Sequence, residues 1–338
     1  MKVLVTGAGG FIGSHLVERL LEKNLKVKAF IRYSSKQDYG WLKKIKKEKK
    51  KNIEYIFGDV KDQDSIDQAV KGCDIILNLA AMISVPYSFK NPQSFFEINT
   101  LGLVNIIKSY LNNKNSIKKI VHISSSEVYG NLIKNKNNIL LKENAVLNAE
   151  SPYAASKIAA DNFAISMHKS HDVPIAIARP FNTFGPRQSL RAVLPTIITQ
   201  FIKGGRNPKI KIGNINTSRD FVYVKDNVNG IIEIMNSKKT IGKVVNIATQ
   251  KSFSIKECIK IVSNYSKKNP NLIIAQERLR KAEVFKLKGS NSSIKKLTRW
   301  APEYSSKEGF KKALIKTYDW FSESENLNNY SNIDEYNI

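Results

Sequence analysis

Lys2-Val3-Leu4-Val5-Thr6-Gly7-Ala8-Gly9-Gly10-Phe11-Ile12-Gly13 is the stretch that decides the fold. Its first five residues read as a short buried strand, its glycines as a tight turn, and the amphipathic run from Phe11 through Glu22 as a helix. In that order, strand, turn and helix let a pyrophosphate approach bare backbone and rest on a helix N-terminus. A glycine motif alone is weak evidence. A second strand at Val27 to Phe30 completes a βαβ unit and gives the motif its weight.

Working outward, strands are expected at Ile53 to Phe57, Asp74 to Leu79, Lys119 to Ser124 and Ile175 to Arg179. Helices are expected at about 62 to 71, 92 to 112 and 153 to 170. This alternation predicts an α/β fold with a doubly wound parallel sheet. Beyond Pro180 the rhythm loosens into Gly-, Pro- and Asn-rich turns and shorter elements, which predicts a smaller α/β substrate lobe. Residues 1–180 with about 221–255 would form the dinucleotide-binding domain, to which Val244 to Ala248 returns as a buried strand. Residues 181–220 with about 256–321 would form the lobe. The segment 322–338 carries four acids, no bases and several asparagines, so a disordered tail is expected there.

Composition narrows the class. The 338 residues suffice for one large or two moderate domains. The formal charge is +26, yet the run Lys43-Lys44-Ile45-Lys46-Lys47-Glu48-Lys49-Lys50-Lys51 has no aromatic side chains to stack on bases. It reads as a solvated face rather than a nucleic-acid site, and its field favours an anionic substrate. No apolar run approaches the roughly 18 residues of a membrane span, and the N-terminus is itself the first strand, which argues against a cleaved leader. Cys73 and Cys258 are isolated thiols, as in a reduced cytoplasmic protein. The four histidines show no metal-site spacing.

The chemistry is carried by Tyr153-x-x-x-Lys157. This spacing recurs at Tyr39/Lys43 and Tyr110/Lys114 among thirteen tyrosines, so spacing by itself proves little. Context distinguishes it: Ser151-Pro152 opens a helix, small residues Ala154, Ala155 and Ser156 follow, and positions four apart share one face. There the ammonium is expected to lower the phenol's pKa, making Tyr153 a general base. The bland alternative is a surface Tyr/Lys pair. At the end of the second strand, Phe30-Ile31-Arg32 has no acid for a ribose hydroxyl, and Arg32 leaves a 2′-phosphate, hence NADP, open.

The glycine motif, Asp59 after a strand, Asn78-Leu79-Ala80-Ala81, Ser124-Ser125-Ser126-Glu127-Val128-Tyr129-Gly130, Tyr153/Lys157 and Arg179-Pro180-Phe181-Asn182 together resemble the extended short-chain dehydrogenase/reductase family, the NAD-dependent epimerases and dehydratases. The likeness runs over about residues 1–320. It implies a Rossmann-type sheet and NAD held by Gly7, Gly10, Phe11, Ile12, Gly13, Arg32, Asp59, Val60, Leu79, Ala80 and Ala81 with Tyr153 and Lys157. The implied substrate is a nucleotide-diphosphate sugar. A homodimer is also implied, through helices near 92–112 and 153–170 whose apolar residues include Ile106, Ile107, Phe163 and Ile165.

Within the family, the segment from Phe181 to Pro195, Tyr39-Gly40-Trp41-Leu42 and Ile83-Ser84-Val85-Pro86-Tyr87-Ser88 resemble the sugar 4,6-dehydratases of legionaminic acid biosynthesis, which act on an N-acetylglucosamine nucleotide, in some bacteria the GDP form. The likeness implies catalytic roles for Ser125, Ser126, Glu127, Tyr153 and Lys157, with Glu127 as the base that sets a dehydratase apart from an epimerase. It implies substrate contacts from Ser84, Asn182, Arg187, Arg219 and Arg280. Ser125 stands where such enzymes often have threonine, Ser126 where some have aspartate, and Lys281 where the family has proline. A UDP-sugar 4-epimerase, a UDP-glucuronate decarboxylase and a cofactor-bound scaffold without turnover remain as alternatives.

Overall fold

Seven apolar segments lie side by side as one parallel sheet: β1 (Lys2–Thr6), β2 (Lys26–Arg32), β3 (Ile53–Gly58), β4 (Ile75–Asn78), β5 (Lys119–Ile123), β6 (Ile175–Pro180) and β7 (Val244–Ile247). Their order is β7-β6-β5-β4-β1-β2-β3. The computed structural model describes residues 1–112, 116–131, 140–278 and 285–330. Strands β4, β5 and β6 are buried at every position, as a strand covered on both faces must be. On one face lie α1 (Phe11–Glu22) and α5 (Val224–Asn236), and on the other α2 (Gln63–Val70), α3 (Gly102–Asn112) and α4 (Pro152–His171). Alternate strand residues feed two cores: Val3 and Val5 enter the first, Leu4 the second.

Helix ends are specified locally. Asp62 accepts from the amides of Asp64 and Ser65 at the start of α2, and the Ser151 hydroxyl accepts from Ala154 N at 3.1 Å with Pro152 in the first turn of α4. Lys28, Lys119 and Lys157 are buried, and the first two cap helix ends. Lys28 donates to the carbonyl of Lys71 at 2.8 Å beyond α2, and Lys119 to the carbonyl of Ser237 and the Thr240 hydroxyl at 2.6 Å beyond α5. Each sits where a helix C-terminus leaves carbonyls unpaired.

After β6 come short sheets: Asn182–Phe184 with Phe221–Tyr223, Ser218–Arg219 between Phe253–Ser254 and Lys286–Leu287, and Lys209–Ile212 with Asn271–Ile274. They close over an aromatic cluster in which Phe253 stacks on Phe310 at 3.9 Å, with Phe184 and Phe221 against the same ring.

Two expectations need correction. The helix expected over 92–112 is interrupted by a π turn at Glu97–Leu101 between Pro92–Phe96 and α3. The wide turn delivers Asn99 into the interior, where its carbonyl accepts from Met82 N at 2.8 Å and its amide donates to Ser156 Oγ at 2.9 Å. The tail is ordered through Tyr330, because Ser324–Leu327 is helical and Trp41, Trp320, Phe321 and Tyr330 pack together. Tyr330 Oη donates to the Gln188 carbonyl at 2.9 Å. Aromatic burial outweighs the acidic, asparagine-rich composition there; residues 331–338 lie outside the described ones. Truncating this anchor, Tyr330→Ala, is expected to cost about 3 kcal/mol, read as a lower urea midpoint at unchanged slope.

Candidate active site

All seven strands point their carboxyl ends to one edge, and the order reverses between β1 and β4, where an open α/β sheet leaves a crevice. The glycine turn lies at this switch point. Gly7 has φ +66°, and a side chain there would begin 3.0 Å from Ala80 N. At Gly13 a Cβ would sit 2.2 Å from the Gly7 carbonyl. Gly10 caps α1 without any side-chain hydrogen bond. Bare backbone and an uncapped helix start fit the pyrophosphate of a dinucleotide, with Phe11, Ile12 and Gly13 in the first turn. The Tyr39-Gly40-Trp41 segment packs onto this turn: Trp41 N donates to Gly9 O at 3.0 Å, and a Cβ at Gly40 would lie 2.4 Å from that oxygen.

Leu79 and Ala80 are held to the turn by their amides, which donate to Thr6 Oγ1 at 3.1 and 3.0 Å. Arg32 is exposed at the end of β2 beside Gly58 of β3, and Asp59 follows at once, half-exposed, accepting from Lys61 N. Val60 is buried and approached closely by Gly102 of α3.

Beyond β5 the chain turns through Ser124 and Ser125 into a short 3-10 turn, Ser126–Tyr129. Ser125 caps it by accepting from Glu127 N at 3.2 Å, Ser126 is buried and Glu127 half-buried. Tyr153 and Lys157 project from α4 toward this turn; Lys157 Nζ donates to the Ile123 carbonyl at 2.7 Å. The structure therefore brings Ser125, Glu127, Tyr153 and Lys157 together. It reverses the expected shift: burial pushes the Tyr153 phenol up to about 12, a hydrogen bond with Ser125 opposes this, and the charges of Glu127 and Asp161 add to it. Lys157 spends its proton on a carbonyl, and burial brings it down to about 8. The phenol of the free protein is un-ionised at neutral pH.

The expected substrate residues divide. Asn182 opens the strand after β6, with its Oδ1 buried and without a hydrogen-bond partner. Ser84 precedes the helix Val85–Lys90 at the end of the β4 loop. Arg219 is buried on its three-stranded sheet beside Asp220, whose carboxylate accepts from Thr249 N at 2.9 Å and Gly289 N at 3.2 Å. Arg187 has a left-handed backbone, φ 69°, and donates from Nη2 to Glu18 at 2.8 Å and from Nη1 to Ser14 Oγ at 3.2 Å on α1. Arg280 lies outside the described residues. Ile106 and Ile107 belong to the chain's own core, whereas Phe89, Phe96 and Leu101 are exposed.

Sequence reading missed a buried polar set under the catalytic pair. Thr6 donates to Asn78, the Asn78 amide to His122 Nδ1, Ser124 and Arg179 to Asp161, and Tyr129 to Asn246. Its signal was polar residues ending otherwise apolar strands.

A family model described as GDP-mannose 4,6 dehydratase matches residues 4–313. A putative UDP-glucose 4-epimerase of Methanocaldococcus jannaschii is 31% identical over 322 residues, 92% of this chain and 97% of that one. The dTDP-D-glucose 4,6-dehydratase of Dictyostelium discoideum is 32% identical over 277 residues, 78% of this chain and 62% of that one. Among solved structures, the UDP-glucuronic acid 4-epimerase from Bacillus cereus in complex with UDP-glucuronic acid and NAD superposes with a TM-score of 0.82 at 25% identity, covering 96% of this chain and 100% of that one. With matching motifs, crevice and paired Tyr153/Lys157, the chain belongs to the GDP-mannose 4,6 dehydratase family of NAD-dependent epimerases and dehydratases.

Proposed function

We propose that this protein is a nucleotide-diphosphate-sugar 4,6-dehydratase acting on an N-acetylglucosamine nucleotide, with the GDP form favoured by its likeness to legionaminic acid enzymes. The observation that carries the reading is the placement of Glu127: a half-buried carboxylate two residues past Ser125, close enough that its charge opposes ionisation of Tyr153. An epimerase has no use for a carboxylate there. We also infer that the enzyme works in the cytoplasm, a setting that suits the two buried free thiols Cys73 and Cys258.

NAD, seated on the glycine turn, would accept hydride from C4 of the sugar and return it to C6. The chain's own groups handle the protons. Tyr153, un-ionised in the free protein, would lose its proton only once the positive charge of bound NAD joins that of Lys157 beside it; the phenolate would then take the proton of the 4-hydroxyl while Ser125 hydrogen-bonds the same oxygen. A ketone at C4 acidifies the C5 proton, which Glu127 would remove and pass to the departing C6 hydroxyl so that it leaves as water; as hydride returns to C6, C5 would regain a proton from solvent through Glu127 while Tyr153 releases the one it took. One water is lost and no net oxidation results. Asn182, Ser84 and Arg219 would bind the nucleotide sugar, and the exposed Arg32 leaves room for a 2′-phosphate on the cofactor.

Incubation with GDP- and UDP-N-acetylglucosamine is expected to yield a 4-keto-6-deoxy sugar; a C4 epimer as sole product would overturn the dehydratase reading. Glu127→Gln is expected to keep substrate-driven reduction of the bound cofactor, seen at its absorbance, while dehydrated product falls by about 100-fold or more. A homodimer is proposed through the face carrying Phe89, Phe96 and Leu101, exposed at 60%, 41% and 43%. Sedimentation at micromolar concentration should show a dimer that Phe96→Asp with Leu101→Asp splits into monomers.

A further inference from the structure

Tyr153, Lys157 and Asp161 follow one another at four-residue steps on α4 and form a single stripe against β5 and β6. The reaction just described uses the first two. Asp161 is wholly buried and does not reach the crevice. Its Oδ2 accepts from Ser124 Oγ at 2.9 Å and from Arg179 Nε at 2.9 Å. Its Oδ1 has no hydrogen-bond partner, and His122 Nε2 stands 3.8 Å away, too far to donate. We propose that Asp161 is a positioning residue of the catalytic site, its buried carboxylate holding the Lys157 ammonium charged and in place beneath Tyr153. The inference rests on the reading of Tyr153 and Lys157 as the acid–base pair.

Charge accounting supports it. Lys157 is as buried as Asp161, and its one hydrogen bond in the structure goes to the neutral carbonyl of Ile123. The groups around it are few. From β5 comes His122, whose Nδ1 accepts from the Asn78 amide and which burial and the Lys157 charge hold well below the usual histidine range, so it is neutral. From β6 comes Arg179, already paired with Asp161. On its own helix are Tyr153, un-ionised, and Asp161. Glu127, on the turn beyond β5, is half-buried on the Tyr153 side. Asp161 is thus the buried acid that pairs with Arg179 at 2.9 Å and lies one helical turn past Lys157 on α4; burial pushes its carboxyl up, and the charges of Arg179 and Lys157 oppose this. Burial works against the ammonium while the Asp161 charge works for it.

The carboxylate is fixed rather than mobile. Arg179 Nη1 donates to Tyr129 Oη at 3.1 Å, and Tyr129 donates to Asn246 Oδ1 at 2.7 Å, so Asp161 is tied through Arg179 to β7. A group clamped in this way sets the charge and height of its neighbour; it does not itself exchange protons with a substrate.

The test is a titration of the free protein labelled with carbon-13 lysine, following the Cε resonance that disappears in Lys157→Met. Its midpoint in the unaltered protein is expected at about 8. In Asp161→Asn it should fall by about 1–2 units, and in Asp161→Glu it should return toward the original value. Where Asp161→Asn does not fold because Arg179 is left unpaired, Arg179→Gln keeps the carboxylate and removes the cation that competes for it, and the midpoint should then rise by a comparable amount. A shift below about 0.3 units in whichever variant folds overturns the proposal. Turnover of GDP-N-acetylglucosamine should lose its alkaline limb at correspondingly lower pH in Asp161→Asn, whereas a merely structural role lowers activity at every pH alike. The titration needs neither cofactor nor sugar, so a protein inert toward every nucleotide sugar overturns the dehydratase reading and leaves this result standing.

Discussion

The structure depends on a row of polar side chains that crosses the carboxyl edge of the sheet. Where β1 and β4 part at the switch point, the amides of Leu79 and Ala80 lose their ladder partners, and Thr6 Oγ1 accepts from both while donating to Asn78 at 2.7 Å. Thr6, Asn78 and His122 are direct partners in the parallel register, as are Arg179 and Asn246 farther along. Each must be satisfied where it stands, because an unpaired buried polar group costs about 1–3 kcal/mol. The row therefore fixes strand register at the edge where the glycine turn and the β5 turn begin. Cofactor loop and catalytic turn are placed by the same set of bonds.

That row also explains what could be read from the sequence. The strands were legible because a parallel strand covered on both faces must be apolar throughout, and the glycine turn because no other residue permits the approach of Gly13 to the Gly7 carbonyl. Ser125, Glu127, Tyr153 and Lys157 were legible because each lies within a few residues of an element end. His122 gave no such signal: its hydrogen-bond partner Asn78 is 44 residues away in sequence, and only the sheet brings them together. The π turn was illegible for a related reason, since the partners that draw Asn99 inward, Met82 and Ser156, sit on other segments. Composition misled at the tail, where four aromatic rings outweigh a polar background.

The net charge of +26 is distributed along similar lines. Lys28 and Lys119 are buried as helix-end caps, and Lys268 closes the helix Val193–Lys203 by donating to Phe201 and Gly204. These lysines do structural work that a neutral side chain could not do as well. Most of the remainder faces solvent, where it adds to a long-range field suited to a doubly charged nucleotide diphosphate. Steering by that field is non-specific, so discrimination between substrates would fall to short-range groups, a role proposed above for Asn182 and Ser84.

The two bases of the proposed reaction are coupled through space. While Glu127 is ionised its charge opposes formation of the Tyr153 phenolate, and burial opposes it more strongly. The free protein thus keeps the phenol protonated. By the step at C5, Tyr153 would have taken the proton of the 4-hydroxyl, so the transfer from C5 to Glu127 would take place beside a neutral phenol. The two proton transfers of the proposed reaction would thus follow one another, the phenolate first and the carboxylate second. A 4-epimerase, with a single proton transfer to and from one oxygen, gains nothing from a second base, and this is the physical argument on which the proposed loss of water rests.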